Sequence, residues 1–309
     1  MLNVPRLRVL REVAQRGSFS AAADALAYTQ SAVSQQIAAL EREAGTQLVE
    51  RNARGVRLTD AGRALVAHAD VILARLADAE DELAQIAGGY AGRLRLAAFP
   101  SACATLMPVA IAAFRERHPG VELSLVPSEP PEALGMLLGG EVDIALTIDG
   151  PPVRQDRRVE TTHLLDDPMY VALPVGHPLA KKRFRLGDLA DEEWMVGPGE
   201  TCPDVAVFTR ACREAGFEPR IAFESDDYLA IQGFVASGMG LSFIPDLALV
   251  AVRDDVVIRS LGARPPVRRI GAAVAADAYR SPAKTAMVEV LCEAAEEFRS
   301  RRAELALAS

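Results

Sequence analysis

The sequence predicts an α/β protein in three parts: an amino-terminal winged helix-turn-helix, a long helix, and a carboxy-terminal α/β region. Three observations support this class. Residues 18–62 have the pattern of two short helices followed by a hairpin. Residues 59–87 form one helical run with apolar residues every three or four positions. From residue 93 onward, short apolar runs typical of strands alternate with helical segments.

The first element is a pair of helices within residues 18–40, joined by a tight turn at residues 27–28. Thr29 is placed to cap the first free N–H groups of the second helix. Apolar residues in that helix recur at i, i+4 and i+7, which predicts one buried stripe. The stripe consists of Val33, Ile37 and Leu40.

The opposite side of the second helix is uncharged and rich in hydrogen-bonding groups. Such side chains can pair with base edges in a DNA major groove. Two other interpretations are open: a solvated helix face, and a helix-turn-helix within a bundle that does not bind DNA. Solvated faces usually carry Glu and Lys at i, i+4, and no such pair occurs in residues 30–40. We therefore predict base contacts from Gln30, Ser31, Ser34 and Gln35.

A basic hairpin follows the two helices. Residues 47–50 and 56–58 are predicted strands around a turn-prone loop. Arginines in and beside this hairpin, including Arg63, would lie near the phosphates that flank the groove, and a loop arginine can enter the minor groove. We predict backbone or minor-groove contacts from Ser18, Ser20, Arg51, Arg54 and Arg57.

The first 90 or so residues resemble the amino-terminal region of LysR-type transcriptional regulators, a family of bacterial winged helix-turn-helix proteins. The matching runs are Gly17-Ser18-Phe19, Ala21-Ala22-Ala23, Gln30, Ala32-Val33-Ser34, Gln36-Ile37, Leu40-Glu41, Leu48, Glu50-Arg51 and Leu58-Thr59-Asp60-Ala61-Gly62. Four positions depart from the family pattern: Thr29, Ser31, Ala44 and Val49. Because Ser31 changes a position that meets DNA in relatives, the operator sequence cannot be transferred from them.

The distribution of charge agrees with this resemblance. The chain of 309 residues has a net charge of −8, yet residues 1–66 contain nine Arg against six Asp and Glu, so the only net-positive block coincides with the predicted DNA-binding region. Residues 1–20 lack the apolar core of a signal peptide, and no apolar run approaches 18 residues. Four scattered cysteines fit a reducing compartment. We therefore predict a cytoplasmic protein without membrane contact.

The long helix is predicted to run from Thr59 to about Ala87 with a narrow apolar stripe, spaced alternately four and three residues apart. A helix packed on its own domain would need a broader stripe, whereas the neighbouring positions here are charged. We therefore predict dimerisation through this helix, and relatives usually form tetramers as dimers of dimers. The predicted dimer residues are Leu65, Ile72, Leu76, Leu83 and Ile86.

The carboxy-terminal region is predicted to contain parallel sheet with helices on both faces. The predicted strands are residues 94–99, 121–127, 142–148, 169–174, 194–197, 221–224, 241–245 and 268–274, and the predicted helices are residues 102–118, 131–138, 204–215, 228–237 and 282–302.

This region resembles the effector domain of the same family, which is similar to periplasmic binding proteins and has two Rossmann-like subdomains. The best matching pieces are residues 234–245 and 177–179. We place the chain crossings near Thr162 and Pro266. The predicted domains are residues 1–60 for DNA binding, 61–90 for the linker helix and 91–309 for effector binding, with subdomain I at 91–163 and 267–309 and subdomain II at 164–266.

A small-molecule effector is expected in the cleft, at the carboxyl ends of the strands. Ser101 precedes a helix and either caps it or binds an anion, and the resemblance favours the second role. Glu200 and Asp226 would repel a plain anion, so the effector is expected to carry a donor or positive group as well. The predicted effector residues are Pro100, Ser101, Ser128, Thr147, Pro198, Glu200, Thr201, Ser225, Asp226 and Phe243, of which Phe243 fits the core equally well.

Three rival functions are considered. Catalysis is disfavoured because the four histidines are dispersed and no nucleophile, dinucleotide or metal motif occurs, so neither an enzyme nor a cofactor is expected. A solute-binding protein without gene regulation would not need the first 90 residues. Redox sensing through Cys202 and Cys212 remains an alternative, opposed by the absence of nearby His or Lys. The predicted partners are promoter DNA, further copies of the chain, a small-molecule co-inducer and RNA polymerase.

Overall fold

The computed structural model describes residues 2–52, 55–86, 92–149, 157–199, 202–262, 264–276 and 280–307. Two compact units are present, one of residues 1–83 with 138–141 and one of residues 84–137 with 142–309. No helix in the described ranges has the length and apolar character needed to cross a membrane.

The first unit begins with three helices: α1 (Val4–Arg16), α2 (Phe19–Leu26) and α3 (Gln30–Ala44). Helix α1 was not predicted, although Asn3 caps it. The predicted turn is present, with Ala27 in the left-handed region at φ 54°. Apolar side chains from all three helices form one core that includes Leu10, Val13, Phe19, Val33, Ile37 and Leu40.

A hairpin of β1 (Val49–Asn52) and β2 (Gly55–Leu58) follows as a wing. The Glu41 carboxylate accepts hydrogen bonds from the backbone N–H groups of Leu48 at 2.9 Å and Val49 at 3.2 Å, so α3 holds the start of the wing. Gly62 lies against the same segment, and a Cβ there would be 2.0 Å from the carbonyl oxygen of Leu48. Only glycine therefore fits this contact.

The long helix α4 spans Asp60–Ile86. The Thr59 hydroxyl accepts from the Gly62 N–H at 3.0 Å, as expected for a helix cap. Ala69 and Leu73 are buried, whereas Ile72, Leu76 and Leu83 are 41%, 39% and 66% exposed. Leu65 packs partly against the core of the first unit. The side chain of Ile86 lies outside the described part.

Within its described residues, the second unit contains a mixed sheet of nine strands. The strands are β3 (Arg93–Ala98), β4 (Glu122–Pro127), β5 (Ile144–Asp149), β6 (Val159–Pro174), β7 (Glu193–Val196), β8 (Arg220–Glu224), β9 (Leu241–Pro245), β10 (Val256–Arg259) and β11 (Val267–Ala275). Their order is β4-β3-β5-β11-β6-β9-β7-β8, and β10 also pairs with β6.

The prediction of a parallel sheet is therefore only partly right. Strand pairs β3/β4, β3/β5, β7/β8 and β7/β9 are parallel. Strand β6 instead pairs antiparallel with β9, β10 and β11. The chain passes to the second half of the sheet along β6 and returns along β11, so these two crossing strands must run in opposite directions. Strand β10 was not predicted.

Helices pack around two cores, which define two lobes. In the first lobe, β3–β5 pack with α5 (Pro100–Ala104), α6 (Leu106–Arg117), α7 (Pro130–Leu138) and α10 (Pro282–Leu307). In the second lobe, β7–β10 pack with α8 (Pro203–Glu214) and α9 (Tyr228–Ala236). The predicted crossings fall within β6, at Thr162, and just before β11, at Pro266. The predicted domain boundaries themselves stay predictions.

The prediction of one helix over residues 102–118 is wrong, because the segment breaks at Thr105. The cause is Pro108, whose missing N–H and bulky ring exclude the helical bond to the carbonyl of Ala104. The Thr105 hydroxyl donates instead to the carbonyl oxygen of Ser101 at 2.7 Å. Helix α5 is therefore a single short turn at the carboxyl end of β3.

Candidate nucleic-acid interface and effector cleft

The predicted base-reading residues lie together on α3. Gln30, Ser31 and Gln35 are exposed and Ser34 is half-buried, while the apolar stripe of α3 is buried in the core. We call Gln30, Ser31, Ser34 and Gln35 the polar face. The Thr29 hydroxyl caps α3 by accepting from the Ala32 N–H at 3.2 Å, and it lies 3.0 Å from the Ser31 hydroxyl. The first turn of α3 is thus held in place.

The predicted backbone contacts come from neighbouring elements. Ser18 caps α2 by accepting from the Ala21 N–H at 3.4 Å, and Ser20 is exposed in the first turn of α2. Arg57 is exposed on β2. The backbone of Arg51 pairs with Val56 in the wing, but its side chain and all of Arg54 lie outside the described residues.

The second unit contains a buried ion-pair network that the sequence did not reveal. Arg268 on β11 is 1% exposed. Its guanidinium donates to Asp167 on β6, to both carboxylate oxygens of Asp204 on α8 at 3.0 and 2.8 Å, and to the Ser101 hydroxyl at 3.1 Å. The Tyr228 hydroxyl on α9 donates to Asp204 at 2.5 Å. We call these five residues the Arg268 network.

The Arg268 network joins the two lobes. Ser101 belongs to the first lobe, Asp204 and Tyr228 belong to the second, and Arg268 and Asp167 pair across the crossing strands. Burial raises the pKa of Asp167, and the charge and hydrogen bonds of Arg268 oppose that rise. Burial and the neighbouring Asp204 carboxylate raise the pKa of Tyr228, which keeps its phenol protonated. The available signal in the sequence was a pair of arginines at the start of an apolar strand, one of which must point inward when side chains alternate.

Several predicted effector residues meet beside this network. Pro100, Ser101 and Asp226 line a cavity of about 380 Å³ with walls from both lobes. The expectation that Ser101 precedes a helix and caps it is wrong, because Ser101 is the second residue of α5 and Phe99 occupies the cap position. An anion site there is not supported either, since the Ser101 hydroxyl already accepts from Arg268 and α5 is only five residues long.

The remaining predicted effector residues are dispersed. The Ser128 hydroxyl donates to Glu132 at 2.9 Å, and that of Thr147 donates to the carbonyl oxygen of Gly271 at 3.3 Å. Ser225 accepts from the Asp227 N–H at 3.1 Å, and Pro198 is exposed. Glu200 and Thr201 lie outside the described residues.

Phe243 is a core residue. It is buried, and its ring centroid lies 5.8 Å from that of Trp194 and 5.1 Å from that of Phe208. The structure therefore selects the core alternative for Phe243 over the cleft wall, because alternation along β9 directs this side chain toward the aromatic cluster of the second lobe.

Glu129 is a half-buried residue beside the cleft that the sequence analysis missed. It follows β4, whose Pro127 pairs with Ala98 of β3, and the Ser128 N–H donates to the carbonyl oxygen of Ala98 at 3.0 Å, so Glu129 leaves the sheet next to the start of α5. Burial and the nearby Asp204 carboxylate raise its pKa to about 7, while Arg268 lowers it and Asp226 and Glu132 raise it further. The signal for Glu129 was weak, since an acidic residue after a strand usually lies in solvent.

The cysteines do not resemble a poised redox pair. Cys202 and Cys212 are both buried, and burial raises their pKa values to about 11 and about 12. They stand at the start and near the end of α8, about 15 Å apart along the helix axis. A disulfide needs Cα atoms within about 7 Å, so α8 would have to unwind. No group of three His, Cys, Asp or Glu suitable for a metal ion occurs among the described residues.

Comparisons with known proteins agree with this architecture. The family model described as "Bacterial regulatory helix-turn-helix protein, lysR family" matches residues 5–63, and that described as "LysR substrate binding domain" matches residues 87–296. A probable HTH-type transcriptional regulator LrrA from Synechococcus elongatus is 34% identical over 304 residues, covering 97% of this chain and 99% of that protein. A probable hydrogen peroxide-inducible genes activator from Mycobacterium avium is 34% identical over 274 residues, which cover 86% of this chain and 85% of that protein.

Solved structures share the fold. The crystal structure of CbnR, a LysR family transcriptional regulator, has a TM-score of 0.68 at 23% identity, covering 95% of this chain and 99% of that one. A full-length OxyR variant from Pseudomonas aeruginosa has a TM-score of 0.70 at 24% identity, covering 94% and 98%. The protein is a DNA-binding transcriptional regulator with an effector-binding domain. It belongs to the LysR family.

Proposed function

We propose that this regulator reads promoter DNA through the polar face of α3 and holds the duplex through the wing. The main support for this proposal is that α3 exposes neutral amide and hydroxyl side chains on one side while its apolar stripe on the other side is buried. Amide side chains of this kind discriminate bases by about 1–3 kcal/mol for each bidentate pair. Ser18, Ser20, Arg51, Arg54 and Arg57 are proposed to contact the sugar-phosphate backbone or the minor groove.

We propose further that the protein acts as a homo-oligomer. Ile72, Leu76 and Leu83 leave an apolar stripe exposed along α4. Pairing of this stripe in a dimer would set two α3 helices on two half-sites of a two-fold symmetric operator. Assembly of two dimers into a tetramer follows the family pattern, as does contact with RNA polymerase at the promoter.

The cleft is proposed to bind the small-molecule effector. Its support is the cavity that Pro100, Ser101 and Asp226 line beside the Arg268 network. An effector shifts the protein between two arrangements only if its affinity for them differs. Because the network joins both lobes, a ligand seated there contacts groups whose spacing changes with any movement between the lobes.

The experiment compares two variants on two DNAs. The intergenic region beside this gene and a random duplex of equal length serve as targets for mobility shift at several salt concentrations. Gln35→Ala should weaken binding to the intergenic DNA by about 1–3 kcal/mol and leave random DNA nearly unchanged. Arg57→Ala should weaken both and lower the salt slope by about one.

Arg210→Ala is the matched control for Arg57→Ala, because it removes an exposed arginine from the second unit. It should bind both DNAs like the unchanged protein. Equal losses on the two DNAs for Gln35→Ala would contradict base reading by the polar face.

A further inference from the structure

The cavity between the lobes combines apolar walls with two aspartates. Pro100 and Ala104 of the first lobe and Leu229 and Val250 of the second line it, together with Asp226 and Asp227. The Asp227 carboxylate already caps α9 by accepting from the Leu229 and Ala230 N–H groups, which leaves that of Asp226. Apolar walls favour a ligand with an apolar body, and the polar groups that line the cavity determine which polar or charged group the ligand can carry.

The only cation in the Arg268 network has no donor left for a ligand. Its five N–H groups are taken by Asp167, by both oxygens of Asp204 and by the Ser101 hydroxyl. No lysine, arginine or histidine belongs to the described residues that line the cavity. A ligand carboxylate would therefore lose its hydration without gaining a charged partner.

Ser101 presents a second, independent feature. It is 4% exposed, lines the cavity and accepts from Arg268. Its own hydroxyl proton meets no acceptor within the described ranges. A buried donor without a partner is unfavourable, and a ligand oxygen or nitrogen in the cavity would satisfy it.

Glu129 supplies the remaining charge. It leaves the sheet two residues after Pro127, which pairs with Ala98 of β3, so it lies beside the Pro100–Ser101 wall of the cavity. Asp204 and Asp226 act on it electrostatically from the second lobe, and Glu132 does so from α7. Arg268 is the cation that acts on it, and that guanidinium is already bonded to two other carboxylates. Glu129 forms no ion pair with another described residue. A positive ligand group placed near Glu129 and Asp226 would relieve this excess of carboxylates.

We propose that the cleft binds an organic cation: a protonated amine beside Glu129 and Asp226, an apolar body against Leu229 and Val250, and a hydrogen-bond acceptor at Ser101. This assignment rests on the proposed role of the cleft as the effector site and names the chemical class of the effector. The amine binds the ionised carboxylate of Glu129, so binding releases a proton in the pH range where that carboxyl group is half protonated. Affinity for amines therefore rises between pH 6 and pH 8 and levels off above.

The test is titration calorimetry on the full-length protein. Benzylamine and 1,4-diaminobutane are the amine probes, and benzoate and succinate are carboxylates of similar size. We expect binding of at least one amine and none of the carboxylates. The Glu129→Gln and Asp226→Asn variants should each weaken amine binding, the first about tenfold or more, and Glu129→Gln should abolish the pH dependence.

Glu116→Gln is the matched control, since Glu116 is exposed on α6. Fluorescence of the single buried tryptophan, Trp194, and mobility shift on DNA establish that each variant is folded. Preferential binding of carboxylates by the unchanged protein, binding of none of the amines, or equal affinities of Glu129→Gln and Glu116→Gln would each overturn the proposal. Amine binding that leaves the mobility shift of the unchanged protein on the intergenic DNA unaltered would instead contradict the proposed role of the cleft as the effector site.

Discussion

The two functional regions of this regulator use polar groups in opposite ways. The polar face of α3 is uncharged and exposed, and the apolar stripe behind it provides the packing. The cleft buries charged groups, which are bonded to one another across the lobes. Packing and the proposed base recognition are therefore separable on α3, whereas in the cleft Ser101 is bonded to Arg268 and also lines the cavity.

The largest expected effect comes from removing the central cation of the cleft. Arg268→Met leaves Asp167 and Asp204 buried without their partner, which should lower the free energy of unfolding by about 3–5 kcal/mol. Urea unfolding followed by Trp194 fluorescence measures this in the second unit. The exposed Arg210→Ala variant should change by less than about 0.5 kcal/mol. A similar small change for Arg268→Met would show that the network does not stabilise the fold.

A smaller effect in the same cleft depends on pH. The folded-state pKa of Glu129 is raised to about 7 from an ordinary value of 4.5, so the unfolded chain ionises first as pH rises. Glu129 therefore lowers the free energy of unfolding progressively between about pH 4.5 and pH 7, by about 1 kcal/mol after solvent screening. Glu129→Gln should remove that decline in urea titrations across this range. If the difference in free energy of unfolding between the unchanged protein and Glu129→Gln did not vary with pH, the raised pKa of Glu129 would be contradicted.

On α3, the cap should matter for stability. Thr29→Ala removes the hydroxyl that accepts from the Ala32 N–H, and should destabilise the first turn by about 1 kcal/mol. Hydrogen exchange of the α3 amides measures this locally, since Trp194 does not report on the first unit. Thr29→Ser retains the hydroxyl and should restore protection; failure of the serine variant to do so would argue against capping as the cause.

The smallest effect on stability is expected at the polar face itself. Gln35→Ala should change unfolding by less than about 0.5 kcal/mol, because its side chain is exposed. The same variant is expected to lose affinity for the intergenic DNA. Measuring its stability and its DNA binding together therefore tests whether the two roles of α3 are separate. A large destabilisation would mean that Gln35 is part of the packing and that the separation of roles on α3 is incorrect.

The same contrast explains what could be predicted from the sequence. Val33, Ile37 and Leu40 repeat with the helical period, so the buried stripe and the face opposite it followed directly. The Arg268 network joins residues 101, 167, 204, 228 and 268, and no local pattern links positions so far apart. Long-range pairing also hid the antiparallel course of β6 and β11, which local alternation of strands and helices does not encode.

Single residues account for other differences. Pro108 breaks a segment whose composition is otherwise helical, and its position four residues after Ala104 was a readable signal. Phe243 could not be assigned from sequence, because an aromatic residue in a strand that borders the cleft suits a core or a cleft wall equally. Its contacts with Trp194 and Phe208 decide the matter.

The crossing strands β6 and β11 have a mechanical consequence. Nine residue pairs join them, from Val267 with Pro168 to Ala275 with Val159, with one irregularity between Ile270 and Gly271. Arg268 and Asp167 are direct partners in this ladder, so backbone pairing fixes the spacing of their ion pair. The pair between Arg268 and Asp204 has no such backbone link, because Asp204 stands on α8, and only side-chain hydrogen bonds set its length. Of the two ion pairs of Arg268, the one with Asp204 is therefore the one that a change in lobe spacing would alter first.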